Sequence, residues 1–164
     1  DVGLVPKECY PYTTSGECRP LDCDLDSIPK VRTTDHNYVG GYYGAGDAAS
    51  MMEELYHNGP MVVSFEPTDE FMYYGGGIFS SGGNSIHPEW QKVDHAVMLV
   101  GWGQDGDEKY WLVQNSWGRD WGEGGYFRIA RGVNDAGIES IPVAAKVVDD
   151  ERPQNAVKDF FLSE

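Results

Sequence analysis

The sequence predicts an α+β domain dominated by strand, and three observations carry that reading. Its 21 glycines and ten tyrosines among 164 residues favour short strands joined by many turns over a helical bundle. Two apolar runs, 97–100 and 110–113, flank Gly103-Gln104-Asp105-Gly106-Asp107-Glu108, whose Gly and Asp residues tolerate turn backbone, so the pair reads as a β-hairpin. One stretch, residues 46–58, has helical spacing instead.

Residues 1–24 hold all three cysteines, Cys9, Cys18 and Cys23, among Pro, Gly, Thr and Asp, and read as an irregular, stapled segment. The odd count leaves one thiol free or paired outside the chain. Zinc is the competing reading, but no Cys-x-x-Cys spacing exists and His36 has no second histidine at a ligand spacing. Over 46–58, Asp47 is a candidate N-cap, Ala48, Met51, Met52, Leu55 and Tyr56 recur at three- and four-residue spacings, and Asn58-Gly59-Pro60 stops the helix. The methionine pair reads as core packing and His57 as a solvated or capping side chain. Met61 to Phe65 follows as a strand. Residues 66–93 read mostly as loop, with Phe71 to Tyr74 preceding Gly75-Gly76-Gly77-Ile78-Phe79, and the composition of 82–90 marks an exposed site for a nick. After the hairpin come a strand over 125–131 and a last one over 139–145. From Asp149 the chain reads as a tail able to dock through Phe160, Phe161 and Leu162.

Net charge is −15, from 27 acidic and 12 basic residues, which argues against binding nucleic acid or an anionic membrane. Such acidity is compatible with work in an acidic compartment. There is no apolar run of about 18 residues, no repeat and no Asn-x-Ser/Thr sequon. The start, Asp1-Val2-Gly3-Leu4-Val5, reads as that of a proteolytic product or a piece of a precursor.

The hairpin also places candidate chemistry. A turn centred near Gly106 sets His95 opposite Trp117 and Asn115 one diagonal step away on the same face, whereas a slip of one residue moves Asn115 to the other face. A lone histidine is ordinarily a satisfied core residue. An imidazole oriented by an amide, however, is what a cysteine nucleophile needs beside it, because it takes the thiol proton and then stabilises the thiolate.

Asp94-His95-Ala96-Val97, Asn115-Ser116-Trp117-Gly118, Trp121-Gly122-Glu123 and Gly125-Tyr126-Phe127-Arg128-Ile129 resemble, in order and separation, the His and Asn signatures of the papain family of cysteine proteases. The resemblance implies a two-lobed enzyme of which residues 1–148 form the antiparallel β-barrel (right) lobe with its disulfide-stapled leading loop, and 149–164 a tail. None of the three cysteines sits in the family's nucleophile context, and the oxyanion-hole glutamine is absent too, so the nucleophile is expected on an upstream chain. Cys9-Tyr10-Pro11-Tyr12 and Tyr38-Val39-Gly40-Gly41-Tyr42-Tyr43-Gly44 narrow the resemblance to the dipeptidyl-peptidase branch, that of cathepsin C. That branch implies a Cys9–Cys23 bond, with Cys18 joined to the upstream chain. It implies His95 and Asn115 as catalytic residues, Trp117 in support, and Tyr38, Met51, Pro67, Asp94, Ala96 and Ile141 at the substrate. Further implications are a chloride held partly by the Tyr38 hydroxyl, no metal, an upstream exclusion domain, peptide and protein N-termini as substrates, chain cleavage in the region 80–94, a tetramer, and a lysosome, equivalent acidic vacuole or secretion. The competing expectations are an endopeptidase of the cathepsin L or B kind and a non-catalytic binding module, or pseudoprotease, whose upstream cysteine is replaced.

Overall fold

The computed structural model describes residues 3–13, 20–21, 23–24, 28, 30–82 and 94–149. In chain order the elements are β1 (Val31–Tyr38), α1 (Ala48–Asn58), β2 (Met61–Phe65), a 3-10 turn (Glu70–Tyr73), β3 (Ile78–Phe79), β4 (His95–Asp105), β5 (Glu108–Gln114), β6 (Tyr126–Ala130) and β7 (Val143–Asp149). The strands form one sheet in the order β1-β7-β2-β4-β5-β6-β3. By contacts the chain falls into two units, His36–Ala145 and Asp1–Asp35 with Lys146–Glu164.

The larger unit is built on β2, β4, β5 and β6. Along β2 the side chains alternate, with Met61, Val63 and Phe65 at 2% exposure or less and Val62 turned outward, the period-two signature of a sheet with one buried face. β4 and β5 do the same with Val97, Leu99, Trp111 and Val113, and β6 with Phe127 and Ile129. α1 closes over this face by burying Met51 and Leu55. Its start is fixed by Asp47, whose carboxylate accepts from the backbone N–H groups of Ala49 at 2.9 Å and Ser50 at 3.0 Å, a cap worth about 1 kcal/mol. Its end is fixed by Gly59 at φ 90°, whose N–H returns to the Leu55 carbonyl.

The hairpin register departs from the expected one. The turn pairs Asp105 with Glu108, so its centre lies between Gly106 and Asp107, and the ladder runs unbroken to Gly101 opposite Leu112. Carried further, that register would set Asn115 opposite Met98 and leave Val97 and His95 on the outer face. It is not carried further: the next pair is Leu99 with Val113, which leaves Val100 as an extra residue on β4. This bulge shifts the ladder by one residue. It therefore brings Val97 and His95 to the inner face, that of Trp111, Val113 and Asn115.

Three expectations are corrected. The barrel is an open sheet among the described residues, because its edge strand β3 is only two residues long and pairs with β6 in parallel, leaving too short a ladder to close. The last strand is β7, not 139–145. Glu139 turns inward to accept from the Trp111 indole at 2.8 Å, the Gly132 N–H at 2.6 Å and the Asn134 N–H at 3.1 Å, and Pro142 has no N–H to give a ladder. Finally, β1 falls where no strand was expected.

In the smaller unit Leu4 and Val31 exchange backbone hydrogen bonds of 2.7 and 3.1 Å, and Lys146 meets Asp35 at 3.3 Å. Cys9 and Cys23 are bonded, with their Cα atoms 5.3 Å apart. The loop they close contributes about 3 kcal/mol in the chain-entropy picture. Cys18, most of the nick region and the tail beyond Asp149 lie outside the described residues. Among those residues no helix is long and apolar enough to cross a membrane, and no group of three His, Cys, Asp or Glu side chains could hold a metal ion.

Candidate active site

β4 begins at His95, opposite Phe65 at the end of β2, and Asn115 directly follows β5. The bulge at Val100 puts both side chains on one face, and they meet: His95 Nε2 lies 2.9 Å from Asn115 Oδ1. The same Oδ1 accepts the backbone N–H of Ser116 at 2.8 Å. Since a backbone N–H only donates, the atom between them is the amide oxygen, so Nε2 must carry the hydrogen in this contact. Nδ1 is left as the ring nitrogen that takes up or gives a proton. Asn115 is 9% exposed, and its own backbone N–H is held by the Gly125 carbonyl at 2.9 Å.

An aromatic wall encloses the pair. The Trp117 indole stacks on the His95 ring, 4.9 Å between centroids and 26° between planes, while Phe65 approaches its edge at 5.7 Å. Trp117 in turn packs at right angles to Trp121 at 5.0 Å and against Phe71 at 5.8 Å. Trp121 is fastened by its indole N–H to the Met72 carbonyl at 3.1 Å. Excluding water from one side of the Nε2–Oδ1 hydrogen bond lowers the local dielectric and strengthens it. The turn carrying these indoles needs glycine at Gly122, where φ is 59° and a Cβ would lie 2.6 Å from the Tyr126 carbonyl.

The turn is buttressed from the other side by Glu123, which takes Arg128 in a bidentate grip at 2.7 and 3.0 Å and the Gly77 N–H at 3.1 Å. The Arg128 guanidinium holds the Glu123 carboxyl below its ordinary range, and Glu123 holds Arg128 above its own. Burial pushes the Tyr74 phenol up; it donates to the Gly77 carbonyl at 2.6 Å.

The remaining sequence-derived residues scatter. Ala96 is exposed on the outer face, where with Val62, Met98 and Gln114 it lines a shallow cleft of about 290 Å³. Asp94 is exposed and Pro67 half-buried. The backbone segments that carry Tyr38 and Ile141 meet where the Val39 N–H donates to the Pro142 carbonyl at 2.9 Å. Tyr38 packs edge-on against Tyr43 at 5.5 Å and borders a cleft of about 370 Å³ with Ser50, Glu53, Glu54 and His57. Met51 is corrected: at 0% exposure it belongs to the core and has no surface to offer a substrate. Sequence reasoning missed the Ser116 N–H, the Gly125 carbonyl and the Phe65 and Phe71 rings. Only Phe65 carried a signal, as the last inward position of an alternating strand that register brings to His95.

This chain is similar to several known proteins. It is 41% identical over 152 residues to a cathepsin C of Schistosoma mansoni, an alignment covering 87% of this chain and 32% of that protein. It is 41% identical over 128 residues to dipeptidyl aminopeptidase 1 of Plasmodium falciparum, covering 65% of this chain and 18% of the other. The chain thus spans a third or less of these relatives. Among solved structures, the digestive procathepsin L2 proteinase of the Tenebrio molitor larval midgut matches with a TM-score of 0.73 and 32% identity, over 88% of this chain and 42% of that one. With residues 1–146 also matching the model of the papain family cysteine proteases, the chain belongs to the papain family.

Proposed function

We propose that this chain is the His- and Asn-bearing portion of a cysteine exopeptidase that releases dipeptides from free N-termini, its nucleophile supplied by an upstream chain. The observation that carries the reading is the His95–Asn115 pair, at 2.9 Å under the Trp117 indole. The similarity to cathepsin C and to dipeptidyl aminopeptidase 1 supports the dipeptidyl specificity. Cys9 and Cys23 are bonded to each other, which fits a thiol from elsewhere.

In the proposed cycle His95 Nδ1 takes the proton of the upstream thiol, giving a thiolate beside an imidazolium. The thiolate attacks the scissile carbonyl carbon, and the C–N bond breaks as Nδ1 returns its proton to the departing amine. Water then attacks the thioester while Nδ1 accepts a proton from it, and the dipeptide leaves as its acid with the thiolate restored. Pro67, Asp94, Ala96, Ile141 and Tyr38 border the substrate, Tyr38 also holding a chloride. An upstream exclusion domain limits cleavage to two residues from the amine. The assembled tetramer works in a lysosome or equivalent acidic vacuole.

The likeness to a procathepsin L2 proteinase favours a second reading, an endopeptidase on the same machinery. The complete enzyme, given a fluorogenic peptide with a free amine and its N-acetylated twin, separates the two. Dipeptide release from the free amine alone is expected; equal cleavage of both, or internal cuts, would establish the endopeptidase. Turnover that survives thiol alkylation would overturn both.

A further inference from the structure

The direction of the Asn115 amide decides which nitrogen of His95 is basic, and little in the protein distinguishes the two ends of that amide. Oδ1 receives the His95 Nε2–H and the Ser116 N–H, at 2.9 and 2.8 Å. Nδ2 is buried and, among the described residues, has no partner. Half a turn of the amide would keep the contact with His95 but reverse its polarity. Nδ2 would then donate to Nε2, the ring hydrogen would move to Nδ1, and the nitrogen that must take the thiol proton would already carry one. Among the described residues no hydrogen-bond partner at the Nδ2 end opposes this rotation. At the Oδ1 end the Ser116 N–H does, because in the reversed amide it would face another N–H. The Gly125 carbonyl, 2.9 Å from the Asn115 N–H, anchors the backbone from which the side chain departs.

We propose that the backbone N–H of Ser116 is a positioning group for the reaction: it locks the Asn115 oxygen toward His95 and thereby holds the imidazole in the tautomer whose Nδ1 is free. The inference rests on the cysteine-protease reading of His95, and its role runs through the backbone, the Ser116 side chain being exposed.

The test removes that single hydrogen. In the complete enzyme the peptide link at Ser116 is replaced by an ester, using the α-hydroxy analogue of serine, with Ser116→Pro as a genetically encoded counterpart; an ester at Asp107, in the hairpin turn, is the control and should leave kcat unchanged. The Ser116 ester is expected to lower kcat by about tenfold or more, up to about 10⁴-fold if every molecule reverses, with KM nearly constant. Nitrogen-15 spectra of His95 should move from the Nε2–H tautomer to a mixture. Rescue gives the decisive arm: Asn115→Asp presents two equivalent accepting oxygens, so in the ester background it should restore the Nε2–H tautomer and bring kcat back to that of Asn115→Asp alone. An ester variant with the wild-type tautomer and wild-type kcat overturns the proposal. So does a loss of kcat that Asn115→Asp fails to rescue, which would mark the defect as structural. Absence of any thiol-dependent turnover in the wild type would instead defeat the cysteine-protease reading, a failure kept separate because the tautomer spectrum needs no turnover.

Discussion

Replacing His95 by Ala removes the proposed base itself, while replacing Asn115 by Ala removes only what orients it. His95→Ala in the complete enzyme should therefore abolish measurable turnover. Asn115→Ala should leave a partial rate, lower by about 10²-fold, the size of one acid–base contribution. Single-turnover kinetics on a dipeptidyl substrate reads both, and equal, near-wild-type kcat values would show the site assignment to be wrong. At Tyr38 the question is electrostatic. The chain's net charge of −15 opposes an anion everywhere, and Glu53 and Glu54 border the same cleft. A chloride there depends on neutral donors such as the Tyr38 hydroxyl, so its binding should be weak and easily lost. Activity should rise with chloride at fixed ionic strength, and Tyr38→Phe should flatten that response. Identical wild-type rates in chloride and acetate would rule Tyr38 out as an anion ligand.

The Glu123–Arg128 clamp ties the indole turn to β6, and its pH dependence has a definite sign. Hydrogen bonds from Arg128 hold the Glu123 carboxyl below its ordinary value of 4.5. A depressed carboxyl stabilises the fold fully above the ordinary value and loses that contribution as pH falls through the folded one. With side chains 24% and 29% exposed, the pair is partly screened, so Glu123→Gln should cost about 1 kcal/mol at pH 5–7. The gap should narrow below pH 4.5; melting curves of the two proteins that stay equally far apart in acid would contradict it. At this scale α1, β2 and the hairpin were legible in the sequence, because each combines an apolar period with a cap or a turn. β1 was not: seven of its eight residues are exposed, so it has no inward period, and its pairing comes from neighbours far away in sequence. Nor was the bulge, since Val100 looks like any other strand residue and only the three-dimensional ladder shows that it is unpaired. The contact of His95 with Asn115 was expected from a register that the turn does not obey; it is met because the bulge cancels the offset. The last strand was misplaced because Glu139, polar in a mostly apolar stretch, is drawn inward by an indole N–H and two backbone N–H groups.

The catalytic proposal needs a group this chain does not offer. Two of its three cysteines close a loop on each other, and Cys18 lies outside the described residues and outside any nucleophile context in sequence. The chain corresponds to 32% of the length of the Schistosoma cathepsin C to which it is similar. If an upstream chain supplies the thiol, the 164-residue polypeptide by itself has a base and its orienter but neither the nucleophile that forms an acyl-enzyme nor the oxyanion-hole glutamine. The isolated chain should show no peptidase activity above background, and refolding it together with its upstream chain should create activity that iodoacetamide abolishes. The covalent link gives an independent check. Non-reducing peptide maps of the active assembly should show Cys9 joined to Cys23 and Cys18 joined to a peptide of the upstream chain. A tethered partner raises the effective concentration of the thiol at His95 to the millimolar range or above, so reducing the Cys18 link should weaken assembly on dilution before it affects kcat at high concentration. Alkylation-resistant activity in the isolated chain, or Cys18 recovered as a free thiol from the active assembly, would refute this division of labour.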